Sequence, residues 1–227
     1  MRYRTAILVG MVIVAGSAAV SAFPTSRSWH EPATGRAGVN RAGAGGRYGT
    51  GGRTDKGIKC SHCHVKGEGK IGMTLTASPA FVKVAGEDGY VPGQRYTITI
   101  AMTGEHLNPG PTNNGNGMAA TIENASGKRA GRFIADAGQD SMACPTADPY
   151  AATPLPAGRT TFLYGDCHGV LPLHHMGLTQ WRFDWVAPPA GAGGLTIFVG
   201  MVDGNAGGDS SLDDDTAERT FPLREGP

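Results

Sequence analysis

The sequence predicts an all-β sandwich, and three observations carry the prediction. From about Lys70 onward, short apolar segments alternate with clusters of Gly, Pro and Asn, the rhythm of strands joined by turns. Several of those segments alternate polar and apolar side chains with a period of two, which sets one face of a strand against a core. No long stretch keeps a period of 3.6, and 36 glycines with 15 prolines argue against a helical domain.

The strands read as follows. Tyr96-Thr97-Ile98-Thr99-Ile100-Ala101-Met102 alternates throughout, and Met118 to Ile122 and Arg132 to Ala135 are weaker segments of the same kind. Trp181-Arg182-Phe183-Asp184-Trp185 puts three aromatics on one face and two charges on the other. Leu195 to Met201 is apolar nearly throughout, as in a central strand covered on both faces. Glu105 to Gly117 and Ala137 to Ala157 are rich in Pro, Gly and Asn and are expected to be long loops.

The chain before Lys70 divides in two. Arg2 and Arg4, the apolar run Ala6 to Val14 and the small residues Val20-Ser21-Ala22 make residues 1–22 a signal peptide, with the mature chain starting at Phe23. The run is too short to span a bilayer, which takes about 20 predominantly apolar residues. The product is therefore expected to be exported, whether periplasmic, extracellular or at the cell surface, with no membrane span after signal removal. Residues 23–56 are rich in Gly, Ala and Arg and nearly free of large aliphatic side chains, so they read as a flexible leader ahead of a domain at 57–227. Charge is lopsided: residues 23–59 carry seven Lys/Arg against Glu31 and Asp55, whereas residues 60–227 carry 11 Lys/Arg against 17 Asp/Glu. That asymmetry suits either a solvated linker or a tether for an acidic partner.

Chemistry is concentrated at Cys60-Ser61-His62-Cys63-His64, a C-x-x-C-H. This spacing is the attachment signature of a c-type haem: two thiols add to the porphyrin vinyl groups and the adjacent His gives an imidazole nitrogen to the iron. Cys60 and Cys63 would be the thioether residues and His64 the proximal axial ligand. A local Cys60–Cys63 disulfide is the main alternative; zinc fits less well, because no second C-x-x-C supplies the other two ligands. In an oxidising compartment the two remaining cysteines, Cys144 and Cys167, are expected to pair, stabilising the fold by about 3 kcal/mol. Without haem, four cysteines allow three pairings.

Other constellations are weaker. Asp203, Asn205, Asp209 and Asp213-Asp214-Asp215 offer oxygen ligands for calcium, but not at EF-hand spacing, and they read first as a solvated acidic turn. No nucleophile elbow or phosphate-binding Gly-Lys-Ser/Thr is present, and no basic-aromatic face points to nucleic acid. The expected role is that of a carrier or binding module rather than an enzyme.

Tyr90-Val91-Pro92-Gly93-Gln94-Arg95-Tyr96, Trp181 to Pro188, Gly191 to Phe198 and Asn205-Ala206-Gly207-Gly208-Asp209 together resemble the bacterial relatives of the reelin N-terminal (reeler) domain, including the choice-of-anchor V domain group. The resemblance covers roughly Gly57 to Phe221. In those proteins a Gly-rich segment ending in C-x-x-C-H commonly precedes the Y-x-P-G strand, as Cys60 to His64 does here. It implies an immunoglobulin-like antiparallel β-sandwich, secreted or cell-surface, and an accessory or binding role rather than a reaction. The chain departs from anchored members in having no C-terminal sorting segment.

If His64 is the proximal ligand, the sixth position falls to Met73 or to the cluster His174-His175-Met176. The resemblance favours the cluster, since bacterial relatives often carry a His just before the W-x-W strand. His174 is taken first, with His175 and Met176 as alternatives. Two histidines would lower the reduction potential and a methionine raise it. With both axial sites filled, the function would be electron transfer to redox partner proteins. The alternative is a haem-free secreted or cell-surface reeler-like binding or adhesion module, its partners being cell-surface components. Self-assembly is compatible with either.

Overall fold

The structure is a computed structural model that describes residues 49–62, 64–66, 70–104, 116–134, 140–142, 162–164, 173–174, 179–204 and 212–227. The expected signal peptide, the expected leader up to residue 48, Cys63, Cys144, Cys167, His175, Met176, Asn205 and Asp209 lie outside the described residues.

Among the described residues a single 3-10 turn, Cys60–His62, precedes thirteen strands: β1 Val65–Lys66, β2 Ile71–Ser78, β3 Val82–Val84, β4 Glu87–Tyr90, β5 Arg95–Gly104, β6 Gly117–Asn124, β7 Arg132–Ile134, β8 Asp140–Met142, β9 Phe162–Tyr164, β10 Leu173–His174, β11 Gln180–Val186, β12 Leu195–Asp203 and β13 Leu212–Glu225. One sheet runs β2-β5-β11-β7, and the larger runs β10-β6-β12-β13-β4-β3 with β1 added beside β13; β8 and β9 pair separately. Every strand expected from alternation is present. Most pairings are antiparallel, in keeping with the all-β sandwich expected; β13 runs parallel to both β1 and β4, and β8 to β9.

The core lies between the sheets, and the period of two decides its membership. Ile98, Ile100, Trp181, Phe183 and Trp185 from the smaller sheet meet Ile122, Ile197, Val199 and Met201 from the larger. Tyr96 stacks on Trp185 at 5.9 Å between ring centroids, Tyr90 meets the same indole edge-on at 6.0 Å, and Trp185 Nε1 donates to the Ala130 carbonyl at 3.0 Å. Gly131 makes this approach possible: its φ is +75°, and a Cβ there would collide with the indole.

The charged face of β11 is not uniformly exposed. Asp184 is buried beneath Arg95, whose guanidinium and Nε it accepts from, and also takes the Thr97 hydroxyl proton at 2.7 Å. Burial raises its carboxyl, but the hydrogen bonds from Thr97 and Arg95 and the charges of Arg95 and Arg182 outweigh that and hold it below the usual range.

Two findings differ from the sequence reading. β2 and β13 are strands that the sequence reading does not name: Ile71 to Ala77 alternates with Thr74 and Thr76 on the exposed face, whereas the run Asp213-Asp214-Asp215 interrupts the alternation of β13. Residues 49–56, placed in the leader by composition, belong to the folded domain: Thr50 and Asp55 are buried, and Asp55 accepts from the Thr50 amide at 2.9 Å and hydroxyl at 2.6 Å. The domain thus starts before residue 57. No helix among the described residues is long and apolar enough to cross a membrane.

Replacing Trp185 with Ala should cost about 3–5 kcal/mol in chemical denaturation, the range for deleting a buried aromatic. Because the folded carboxyl of Asp184 is depressed below its ordinary 3.8, its contribution is present above that pH and is lost as the pH falls through the folded value. The Asp184→Asn variant should therefore lose less of its stability between pH 5 and 2, a window of roughly one carboxyl titration, than the parent in the same titration.

Candidate functional site

Rows of paired residues identify the outer face of the larger sheet. Ile197, Val199 and Met201 of β12 point into the core, so Phe198, Gly200 and Val202 lie on the opposite face. Their partners are Thr121, Ala119 and Gly117 of β6 and Thr220, Glu218 and Thr216 of β13. Asp214, two residues before Thr216, continues that face.

Residues 49–62 form a strap across it. A bridge between Thr50 and Lys59 closes the strap, and the Gly51 amide donates to the Ile58 carbonyl at 2.8 Å. Carboxylates of the sheet hold it through its own backbone. Glu123 of β6 accepts the Arg53 and Thr54 amides, each at 2.9 Å, and Glu218 of β13 accepts the Ser61 amide at 2.8 Å. Just beyond the motif, Asp215 accepts the Lys70 amide at 2.7 Å and the Ile71 amide at 3.1 Å.

The strap delivers Cys60 to the middle of this face, with His64 just beyond it. The Cys60 amide donates to Gly49, the His62 amide to the Lys59 carbonyl at 3.1 Å, the i to i+3 bond of the 3-10 turn, and the His64 amide to the Cys60 carbonyl at 2.9 Å. Cys60 is 8% exposed. Its sulfur sits where two glycines leave room: a Cβ at Gly49 would stand 2.9 Å from Sγ and one at Gly200 2.7 Å. His64 Nδ1 lies 2.7 Å from Oδ2 of Asp214, itself 5% exposed. A carboxylate accepts, so Nδ1 is the donor and Nε2 is the nitrogen left for a metal.

His64 fits a covalently held haem: its imidazole is oriented through its outer nitrogen as a ligand requires. The Cys60 sulfur is enclosed instead, donating to the Gly49 carbonyl at 3.5 Å in a cradle that a Cβ would fill. Any bond from that sulfur must leave on the side away from Gly49 and Gly200.

The other candidates separate clearly. Met73 is 3% exposed inside the core, away from the outer face, which removes it as a sixth ligand for a group held there. His174 is the backbone partner of Gly117, and Gly117 pairs with Val202, so position 174 belongs to the same face as the strap. It is three strand spacings from β13, roughly 14 Å. The acidic run is engaged otherwise than in calcium binding: Asp214 meets His64 and Asp215 meets two amides. Among the described residues no three His, Cys, Asp or Glu side chains gather as for a metal ion. Sequence reading missed Asp214, Glu218, Glu123, Gly49 and Gly200 as parts of the site; none carries a local signal, since each acts on a segment distant in the chain.

No family model matches the chain, and no curated protein matches it. Among solved structures it is similar to the reelin-N domain of F-spondin (TM-score 0.42, 17% identity, 72% of this chain and 91% of that one) and to the human F-spondin reeler domain (0.39, 16%, 71% and 92%). It is similar as well to AvmM, which catalyses macrocyclization in alchivemycin A biosynthesis (0.34, 16%, 70% and 92%). The F-spondin domains bear the family name that the sequence motifs resemble. At this distance the likenesses carry no argument about function, and they say nothing of the choice-of-anchor V group or of haem.

Gly200→Ala drives a methyl into both the Cys60 sulfur and the Gly49 carbonyl. It should destabilise the domain by about 1–3 kcal/mol, the range for overpacking, and open residues 49–62 to limited proteolysis before the sheets unfold.

Proposed function

We propose that this chain is an exported β-sandwich that carries one haem c on the outer face of its larger sheet and passes electrons to partner proteins. The observation that carries the reading is the hydrogen bond from His64 Nδ1 to Asp214, which orients the histidine of a C-x-x-C-H through one nitrogen and leaves Nε2 for the iron. When bound, the haem supplies a one-electron ferric/ferrous couple. Cys60 and Cys63 are the residues that would fix the ring, and His64 the residue that would hold the iron. The strap, tied down by Glu123 and Glu218, keeps Cys60 in place. His174 is the proposed sixth ligand, on the ground that its register position shares the face. Two histidines would leave no site for substrate, consistent with a carrier rather than a catalyst.

A second reading rests on a different observation. The burial of Cys60 against Gly49 and Gly200 suits a structural sulfur, with Cys60–Cys63 a small disulfide and the chain a haem-free secreted or cell-surface binding or adhesion module. Cys144 and Cys167 pair with each other under both readings, and calcium has no part in either.

Co-expression with haem-maturation machinery distinguishes the two. A sharp reduced α-band and a haemochrome that survives acid-acetone extraction are expected, with haem lost on Cys60→Ser and Cys63→Ser together and the spectrum altered by His64→Ala. A colourless protein whose intact mass matches two disulfides would establish the binding module instead.

A further inference from the structure

Resting on the haem reading, we infer that Asp214 is a positioning residue that sets the reduction potential of the iron through His64. The ring and the carboxylate meet at 2.7 Å, with the Asp214 side chain 7% and the His64 side chain 33% exposed. The carboxylate is therefore shielded from water while the ring reaches the surface. The acceptor also belongs to a strand: Asp214 stands on β13, next to Asp215, the last residue that β13 pairs with β12, and its own backbone partner is Lys66 of β1, two residues after His64, so the strand that bears the carboxylate is tied to the segment that bears the ring.

The electronic consequence follows from the donor. An N–H that donates to a charged, desolvated acceptor forms a stronger bond than one donating to a neutral carbonyl. Electron density moves through the ring toward Nε2, the imidazole becomes a more basic ligand, and the ferric state gains relative to the ferrous. The other carboxylates near the motif do not act in this way: Glu218 takes the Ser61 amide and Asp215 the amides of Lys70 and Ile71. Among the described residues, only Asp214 is joined to the imidazole.

The test uses the full chain matured with haem, in the parent and in Asp214→Asn, Asp214→Glu and Glu218→Gln. Haemochrome content, a melting curve and a spectroelectrochemical midpoint are measured for each. Asp214→Asn should keep its haem and shift the couple toward the ferrous state about tenfold, 59 mV for one electron. Asp214→Glu, which keeps the charge, should stay within about twofold of the parent in that equilibrium, and Glu218→Gln should do the same because its contact is to backbone. If the Asn variant melts early, Asp214→Ser also lacks the charge and is read in its place. Haem retained with an unchanged midpoint in the uncharged variants overturns the inference and leaves the haem reading standing. A shift in Glu218→Gln as large as that in Asp214→Asn overturns it also, since loss of any nearby charge would then suffice. A parent that takes up no haem overturns both.

Discussion

The arrangement depends on sheet carboxylates accepting backbone amides of a segment that has almost no apolar side chains of its own. Ordering a residue costs about 1–2 kcal/mol of backbone entropy, and the strap has little hydrophobic burial to offset it. Hydrogen bonds to charged groups, each contributing about 1.5–3 kcal/mol, are the available substitute. Glu123 and Glu218 supply them at the two ends of the strap, and Asp55 supplies another within it. The placement of Cys60 and His64 follows from those anchors.

Beneath the strap the sandwich is conventional in its physics. Its core is aromatic toward the smaller sheet and aliphatic toward the larger, and Trp185 joins the two by stacking on Tyr96 while its N–H reaches Ala130. Burying so large a ring with its one polar atom satisfied yields the area without the penalty of an orphaned donor. This rigid body gives β12 and β13 fixed positions, so the outer face presents Gly200, Glu218 and Asp214 in register.

Much of this was legible in the sequence. The alternation of Tyr96 to Met102 and Trp181 to Trp185 gave strands with the correct inward faces, and the continuous apolar run at Leu195 to Met201 marked a strand covered on both sides. The strap beneath which Gly200 lies is that cover. What escaped was whatever depends on distant partners. Gly and Arg at 49–56 compose a leader by any local measure, and the distant partner that holds them, Glu123, comes some seventy residues later. Asp213-Asp214-Asp215 reads as a solvated turn until Asp214 and Asp215 are found against His64 and the 70–71 backbone. The C-x-x-C-H itself was visible, but the residues that hold it were not, because a carboxylate that receives an imidazole N–H 150 residues away or an amide 145 residues away leaves no periodicity behind.

The separation along the chain also orders events in time. Ser61 is held by a residue 157 positions later and His64 by one 150 positions later. The cradle of Cys60 is likewise incomplete until Gly200 has emerged. During synthesis the first thiol therefore stays open while most of the polypeptide is still being delivered, and docking of β12 and β13 closes it. Once the C-terminal strands are seated, the same sulfur is sheltered from oxidants and exchange partners, so the fold acts as a late seal over its own cysteine.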